Sequence, residues 1–307
     1  MSKAGVLAGL VTTNAPADGA PTIKRKGYHW FEYGGSFEPL DPLDLTGLLM
    51  YLDFDTSREN LGNGYIFVND KYGRGVNDGV RLRVSSLAGP NPTIQDSPAG
   101  MHGNHSALCN GTGSYDMVQG PDRGPSFSTD EHTQIFVFNP AAIGTLFGLS
   151  RVGDRSSVGS NPRGYHVMVN ADGTVVVNIG DFGFYEPITS TSLVVVDKWN
   201  MVVVTHDPAT KTLGISISNE DDANANAAED LVYTATFTNG GTPDLFAGYF
   251  NGSDAFMPDQ SRLVHYSLWN HVVPYSELNL MHNGGAWRST PDFFGVESDI
   301  VGKGVLV

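Results

Sequence analysis

The chain has little cysteine, little positive charge and no long apolar run, and each shortage excludes something. Among 307 residues there is one cysteine, Cys109. A lone cysteine closes no internal disulfide, and its setting in Ala107-Leu108-Cys109-Asn110-Gly111, at the end of an alternating run, reads as a small buried hydrophobe rather than a reactive thiol. Only 17% of residues are charged, against roughly 25% in ordinary domains. The 33 acidic side chains outnumber the 18 basic ones, for a formal net charge of −15. Such a surface repels phosphate backbones and anionic headgroups, which argues against nucleic acid and membrane insertion and suits solubility, calcium or basic protein partners. The apolar run Ala4 to Val11 behind Lys3 is far shorter than the ~20 residues a span needs. No distinct small-residue cleavage site follows it, so a secretion signal is not expected. The Asn-X-Ser/Thr triplets at Asn104, Asn110 and Asn251 are read as turn residues.

What is present is a core-forming composition, 40% hydrophobic, cut into short pieces by 37 glycines and 17 prolines. Leu49 to Phe54, Ile66 to Val68, Val80 to Val84, Gln134 to Phe138, Tyr165 to Val169, Thr174 to Ile179, Met201 to Thr205, Thr212 to Ile217 and Leu263 to Trp269 read as strands by their β-branched and aromatic content. Asn170-Ala171-Asp172-Gly173 and the stretch Thr205 to Thr212 read as hairpin turns. The apolar strand entered from Asp197-Lys198-Trp199-Asn200 is expected to be buried on both faces. One helical turn is predicted over Pro274 to Met281, with Pro274 and Ser276 marking its start and Leu278 to Met281 facing inward. Asn283-Gly284-Gly285 supplies the left-handed freedom that stops it. Residues 219–230 read as an acidic, alanine-rich loop. The class expected is therefore all-β.

The ends differ from the middle. Residues 1–44 form an extended N-terminal arm carrying Tyr28, Trp30, Phe31 and Tyr33 close together, residues 45–288 one sandwich domain, and residues 289–307 a C-terminal tail. Exposed aromatics are costly unless covered, so the arm is expected to dock on a partner.

Four segments carry a family resemblance: Asn104 to Asp116 (with Ala107-Leu108-Cys109-Asn110-Gly111 and Ser114-Tyr115), Trp199 to Asp207, Leu213 to Asn219, and Phe256 through Trp269-Asn270 to Ser276-Glu277-Leu278 and Gly285. In this order they resemble the laminin-G-like branch of the concanavalin A-like lectin/glucanase superfamily. The resemblance implies a two-sheet antiparallel jelly-roll sandwich. Glucanases of that superfamily carry a Glu-x-Asp-x-x-Glu strand, because retaining hydrolysis needs two carboxyl groups about 5 Å apart. No such motif is present. Asp53-Phe54-Asp55 with Glu59 is the nearest approach, wrongly spaced and in the first strand, where a turn is expected to follow. No catalytic residue is therefore assigned and no enzyme is expected. The nine histidines include no His-Glu-x-x-His or Cys/His set that would hold zinc. His265 and His271 are read as hydrogen-bonded strand residues. Calcium is the ion the resemblance implies, and Asn251, Asp254 and Asp259 are the best local cluster for it. Glycan binding would use an aromatic platform on loops, for which Tyr249, Phe250, Asn251 and Trp287 are the candidates, together with Phe182 to Tyr185.

These features lead to the expectation of a non-catalytic virion structural or surface protein of the capsid-decoration, head-fibre or tail-fibre kind. It would be homo-oligomeric, would dock on other virion proteins through its arm, and would contact host-surface glycans. The alternatives are a secreted or surface carbohydrate-binding lectin and, third, a polysaccharide-active hydrolase.

Overall fold

In a computed structural model of the protein, the residues described are 46–60, 65–70, 80–84, 93–96, 105–108, 115–116, 128–152, 164–181, 184–236 and 257–285. They contain β1 (Leu48–Asn60), β2 (Tyr65–Asp70), β3 (Val80–Val84), β4 (Thr93–Asp96), β5 (His105–Leu108), β6 (Tyr115–Asp116), β7 (His132–Asn139) and β8 (Phe147–Val152). These are followed by β9 (Gly164–Val169), β10 (Thr174–Asp181), β11 (Phe184–Leu193), β12 (Asn200–Asp207), β13 (Thr212–Asn219), β14 (Glu229–Val232), β15 (Arg262–Trp269) and the helix α1 (Tyr275–His282). The expected all-β, two-sheet antiparallel sandwich is what forms. The large sheet runs β14-β13-β12-β7-β15-β1-β2-β3-β6, with β5 joining β15 and β4 joining β5, and the small sheet runs β11-β10-β9-β8. No helix among the described residues is long and apolar enough to cross a membrane.

The period of two along each strand sorts its side chains between layers. Phe136 and Phe138 of β7, Val202 and Val204 of β12, and Tyr266 and Leu268 of β15 join Tyr165, Val167, Val175 and Val177 of the small sheet in one core between the sheets. Their neighbours Ile135, Val137, Met201, Val203 and Trp269 point the other way and form a second core with Trp199, Val273, Leu278 and Met281. The central strands of the large sheet are thus covered on both faces. That is why Met201-Val202-Val203-Val204 has no polar alternation, as the sequence led one to expect. The second face is closed by α1 and by the 219–228 segment. Asn226 accepts from Ser216 Oγ at its carbonyl (2.7 Å), while its own N–H donates to Ser218 Oγ (2.8 Å). On β13, Gly214, Ser216 and Ser218 leave room on that face for this covering segment.

The predicted turns are present. Asn170 N–H donates to the Thr174 carbonyl at 2.8 Å, and Gly173 sits at φ 90°, where a side chain would be strained. Asp207 caps the second hairpin, accepting from the Ala209 N–H and from Thr210 Oγ1 (2.9 and 2.7 Å). Asn283 (φ 49°) followed by Gly284 (φ 62°) ends α1 in the left-handed region, as its sequence implied. Pro274 is the N-cap and Ser276 lies inside the helix. Leu278, Met281 and His282 are its buried residues.

Three expectations need correction. The first strand does not turn after Asp55 but continues to Asn60, with a register irregularity between Asp53 and Arg58. The acidic 219–230 stretch is not loop throughout, since β14 begins at Glu229. His271 lies outside the strand that ends at Trp269. Strands β4, β8 and β11 were not anticipated: β4 is four residues with a single apolar one, β8 has glycine, serine and arginine amid its apolar positions, and β11 has proline and five Ser, Thr or Glu residues.

Candidate functional site

Among the described residues, one group of ionisable and polar side chains lies at one end of the space between the sheets. Inward positions of β7 and β12 continue past their phenylalanines and valines to His132, Gln134 and His206, all fully buried. Tyr165 of β9 faces them from the small sheet, with ring centroids 5.2 Å from His132 and 5.7 Å from His206. The two histidine rings lie 4.9 Å apart, edge to face. Tyr233, just beyond β14, closes the group, its hydroxyl 2.6 Å from His206 Nε2. Deeper in, Gln134 Oε1 accepts from Ser150 Oγ (2.6 Å) and from the Tyr266 hydroxyl (3.3 Å). Ser150 reaches this interior position through the register shift between Gly148 and Ser150 in β8.

Burial sets the charge state of this layer. It pushes the imidazole of His206 down to about 4, against a smaller opposing pull from Asp207. Burial first and the neighbouring His206 second hold His132 well below the usual histidine range, opposed by its bond with the Asp130 carbonyl. Burial likewise pushes the phenols up: Tyr233 to about 12, with help from Asp207 and Glu186, and Tyr165 well above its usual value. At neutral pH the layer is therefore uncharged. It holds two proton-accepting rings and three phenols, and its histidines and Tyr165 are sealed from solvent.

A second arrangement lies at the mouth beside it, where the edge strands of the two sheets meet. Glu229 of β14 accepts from the Thr191 N–H (2.7 Å), Thr191 Oγ1 (3.0 Å) and the Ser192 N–H (2.8 Å) of β11. Reciprocally, Glu186 of β11 accepts from the Thr234 N–H (2.8 Å), Thr234 Oγ1 (2.9 Å) and the Ala235 N–H (2.6 Å). Desolvation raises both carboxyls, but these bonds together outweigh it, and both end below the usual range; Lys211 adds to the lowering of Glu186. Edge strands present unpaired N–H groups that invite aggregation. Here two carboxylates occupy them.

Of the residues singled out in the sequence, Tyr249, Phe250, Asn251, Asp254 and Trp287, together with the arm residues Tyr28, Trp30, Phe31 and Tyr33, lie outside the described residues. Asp259 is described: it is exposed in the turn before β15, its Oδ1 accepting from the N–H and Nε2 of Gln260 (3.0 and 3.2 Å). Among the described residues no group of three or more His, Cys, Asp or Glu is placed to hold a metal ion. His265 is buried on the second face and bonds Ser267 Oγ at 3.0 Å, as a structural histidine, and burial pushes it down to about 3. The polar layer and the paired glutamates were missed by sequence reading. The signal was available: His132-x-Gln134-x-Phe136 and Val204-x-His206 put polar groups on the inward parity of apolar strands.

No family profile matches the sequence, and no curated protein matches it. Among solved structures the chain is similar to the Ruminococcus gnavus IT-sialidase CBM40 bound to α2,3-sialyllactose, at 15% identity and TM-score 0.40, over 49% of this chain and 81% of that one. It is also similar to the Trypanosoma rangeli sialidase in complex with sialic acid, at 14% identity and TM-score 0.45, over 91% of this chain and 37% of that one. A third likeness is to the heptameric SAP-like pentraxin of Limulus polyphemus, at 9% identity and TM-score 0.36, over 53% of this chain and 75% of that one. Scores of this size carry no argument for activity or ligand.

Proposed function

We propose that the protein is a non-catalytic display module: a β-sandwich that holds surface loops in place for contact with glycans, in a virion structural or surface protein of the decoration or fibre kind. One observation supports the display role above the others. Among the described residues, Glu186 and Glu229 tie one sheet edge to the other, and His132, His206 and Tyr165 are packed between the sheets, so these side chains serve the scaffold. A frame whose β11 and β14 edges are tied to each other and whose central strands are covered on both faces leaves recognition to loops. The virion assignment rests on the sequence, through the aromatic arm of residues 1–44, and the glycan on the aromatic and carboxylate residues Tyr249 to Asp259 and Trp287.

The test pairs two measurements on purified protein. A glycan array, with calcium and again with chelator, is expected to show specific binding, lost when Tyr249 is replaced by alanine. Removal of residues 1–40 is expected to leave the sandwich folded and to abolish assembly. Binding with unaltered assembly would turn the reading to a free-standing lectin. A blank array with assembly lost would leave the structural role alone, and hydrolysis of a β-glucan would overturn the proposal.

A further inference from the structure

The two glutamate bonds at the mouth are in register with each other. Glu186 and Thr191 are five residues apart on β11, and their partners Thr234 and Glu229 are five residues apart in the opposite direction. Strand β11 and the segment 229–235 therefore face each other antiparallel, with carboxylate oxygens in place of the carbonyls of a ladder. Every partner of these oxygens is a donor, a backbone N–H or a serine or threonine hydroxyl, so each glutamate holds its clasp most strongly as the anion. Between the two clasps, Tyr233 reaches inward to His206 at 2.6 Å. Leu231, Tyr233 and Ala235 pack on the core between the sheets and so roof it on this side.

We propose that this junction is an acid-released clasp, which joins the two sheets at neutral pH and opens the core between them when its glutamates and the adjoining histidine layer take up protons. Glu186 faces Lys211, whose Nζ donates to the Thr234 carbonyl at 3.0 Å. His206 faces His132, Tyr165 and Tyr233, and its sequence neighbour Asp207 is directed to its own turn. Protonating Glu229 takes one of its two accepting oxygens from Thr191 or Ser192, and protonating Glu186 leaves Thr234 and Ala235 a neutral acceptor in place of a charged one. Protonating the histidines places cations side by side in a layer whose other members, among the described residues, are phenols and amide or hydroxyl groups. What acid leaves in place is the ladder from β14 to β13, four residue pairs long, and the Tyr233 N–H bond to the Lys211 carbonyl. The segment 229–235 therefore stays on the large sheet, and it is β11 and the small sheet that part from it.

Amide exchange in the full-length protein, expressed as protection relative to the free chain, tests this together with binding of an apolar fluorescent dye. Between about pH 5 and pH 3, protection at Thr191, Ser192, Thr234 and Ala235 is expected to fall at least about tenfold, with dye uptake, while Phe136, Val202 and Val204 stay protected. Loss at all these positions at one common pH, or no dye uptake while the clasp amides exchange, would overturn the proposal. The double variant Glu186→Leu and Glu229→Leu, which offers no acceptor at any pH, is expected to bind the dye already at pH 7. A folded double variant with the exchange pattern and dye response of the unmodified protein at pH 7 would overturn it equally.

Discussion

The core between the sheets has two ends built on opposite principles. At one end Phe138 and Phe147 meet edge to face at 6.2 Å, with Val169 and Val202 also in that core. At the other, the same strands present His132, Gln134, Tyr165 and His206, equally buried. Both ends exclude water, so the difference lies in what each asks of its surroundings. An apolar end is satisfied by shape. A polar end has its donors and acceptors to match, and its histidines are stable there only while neutral.

The largest effect that sharpens this contrast is at the apolar end. Phe138→Ala is expected to cost about 3–5 kcal/mol in urea unfolding at pH 7, through lost transfer energy and the cavity left behind. That loss should be nearly constant from pH 7 to 5. The polar end is expected to answer to pH instead. His206 titrates near 4 when folded, whereas an unperturbed imidazole titrates near 6.5. Between these values the unfolded chain binds the extra proton, so stability falls as pH falls, by about 3 kcal/mol from this residue alone. His206→Gln keeps an acceptor for the Tyr233 hydroxyl and does not titrate, so the drop between pH 6.5 and 4 should shrink by about that amount. His265 contributes its own drop in both proteins, so the difference between the two curves is the quantity that decides. An unchanged curve would erase the distinction between the two ends.

Two smaller changes probe the hydrogen bonding. Gln134→Leu removes the acceptor shared by Ser150 and Tyr266 and strands both hydroxyls, for an expected loss of about 2 kcal/mol in spite of the added apolar surface. Tyr266→Phe removes one donor from Gln134 Oε1 and leaves Ser150 bound to it, so about 1 kcal/mol is expected. If Gln134→Leu proves stabilising, the polar end is held by packing as the apolar end is.

Much of the frame was legible because it depends on local rules. Trp199-Asn200-Met201-Val202-Val203-Val204 announced a strand covered on both faces, Asn170 to Gly173 a hairpin, and Pro274 to Gly285 a short helix with its stop. Strand β11 was not legible, since Pro187 and five Ser, Thr or Glu residues hide a strand whose identity comes from its pairing with β10. Glu229 reads as the end of an acidic loop because nothing near it in sequence shows that Thr191 and Ser192 will lie beside it. The same holds for His206, which belongs by sequence to a turn and by structure to the interior.

What the sequence alone determined was the alternation of apolar residues, and with it the all-β class, the doubly covered central strands and the reliance on packing in a chain with a single cysteine. These follow from the period of two and from composition, which are properties of neighbours along the chain. The tertiary structure decided which sheet edges would meet and which inward positions would share one end. The carboxylate clasp and the neutral histidine layer join residues about 40 to 70 positions apart, and only the approach of the two sheets brings them within hydrogen-bond reach.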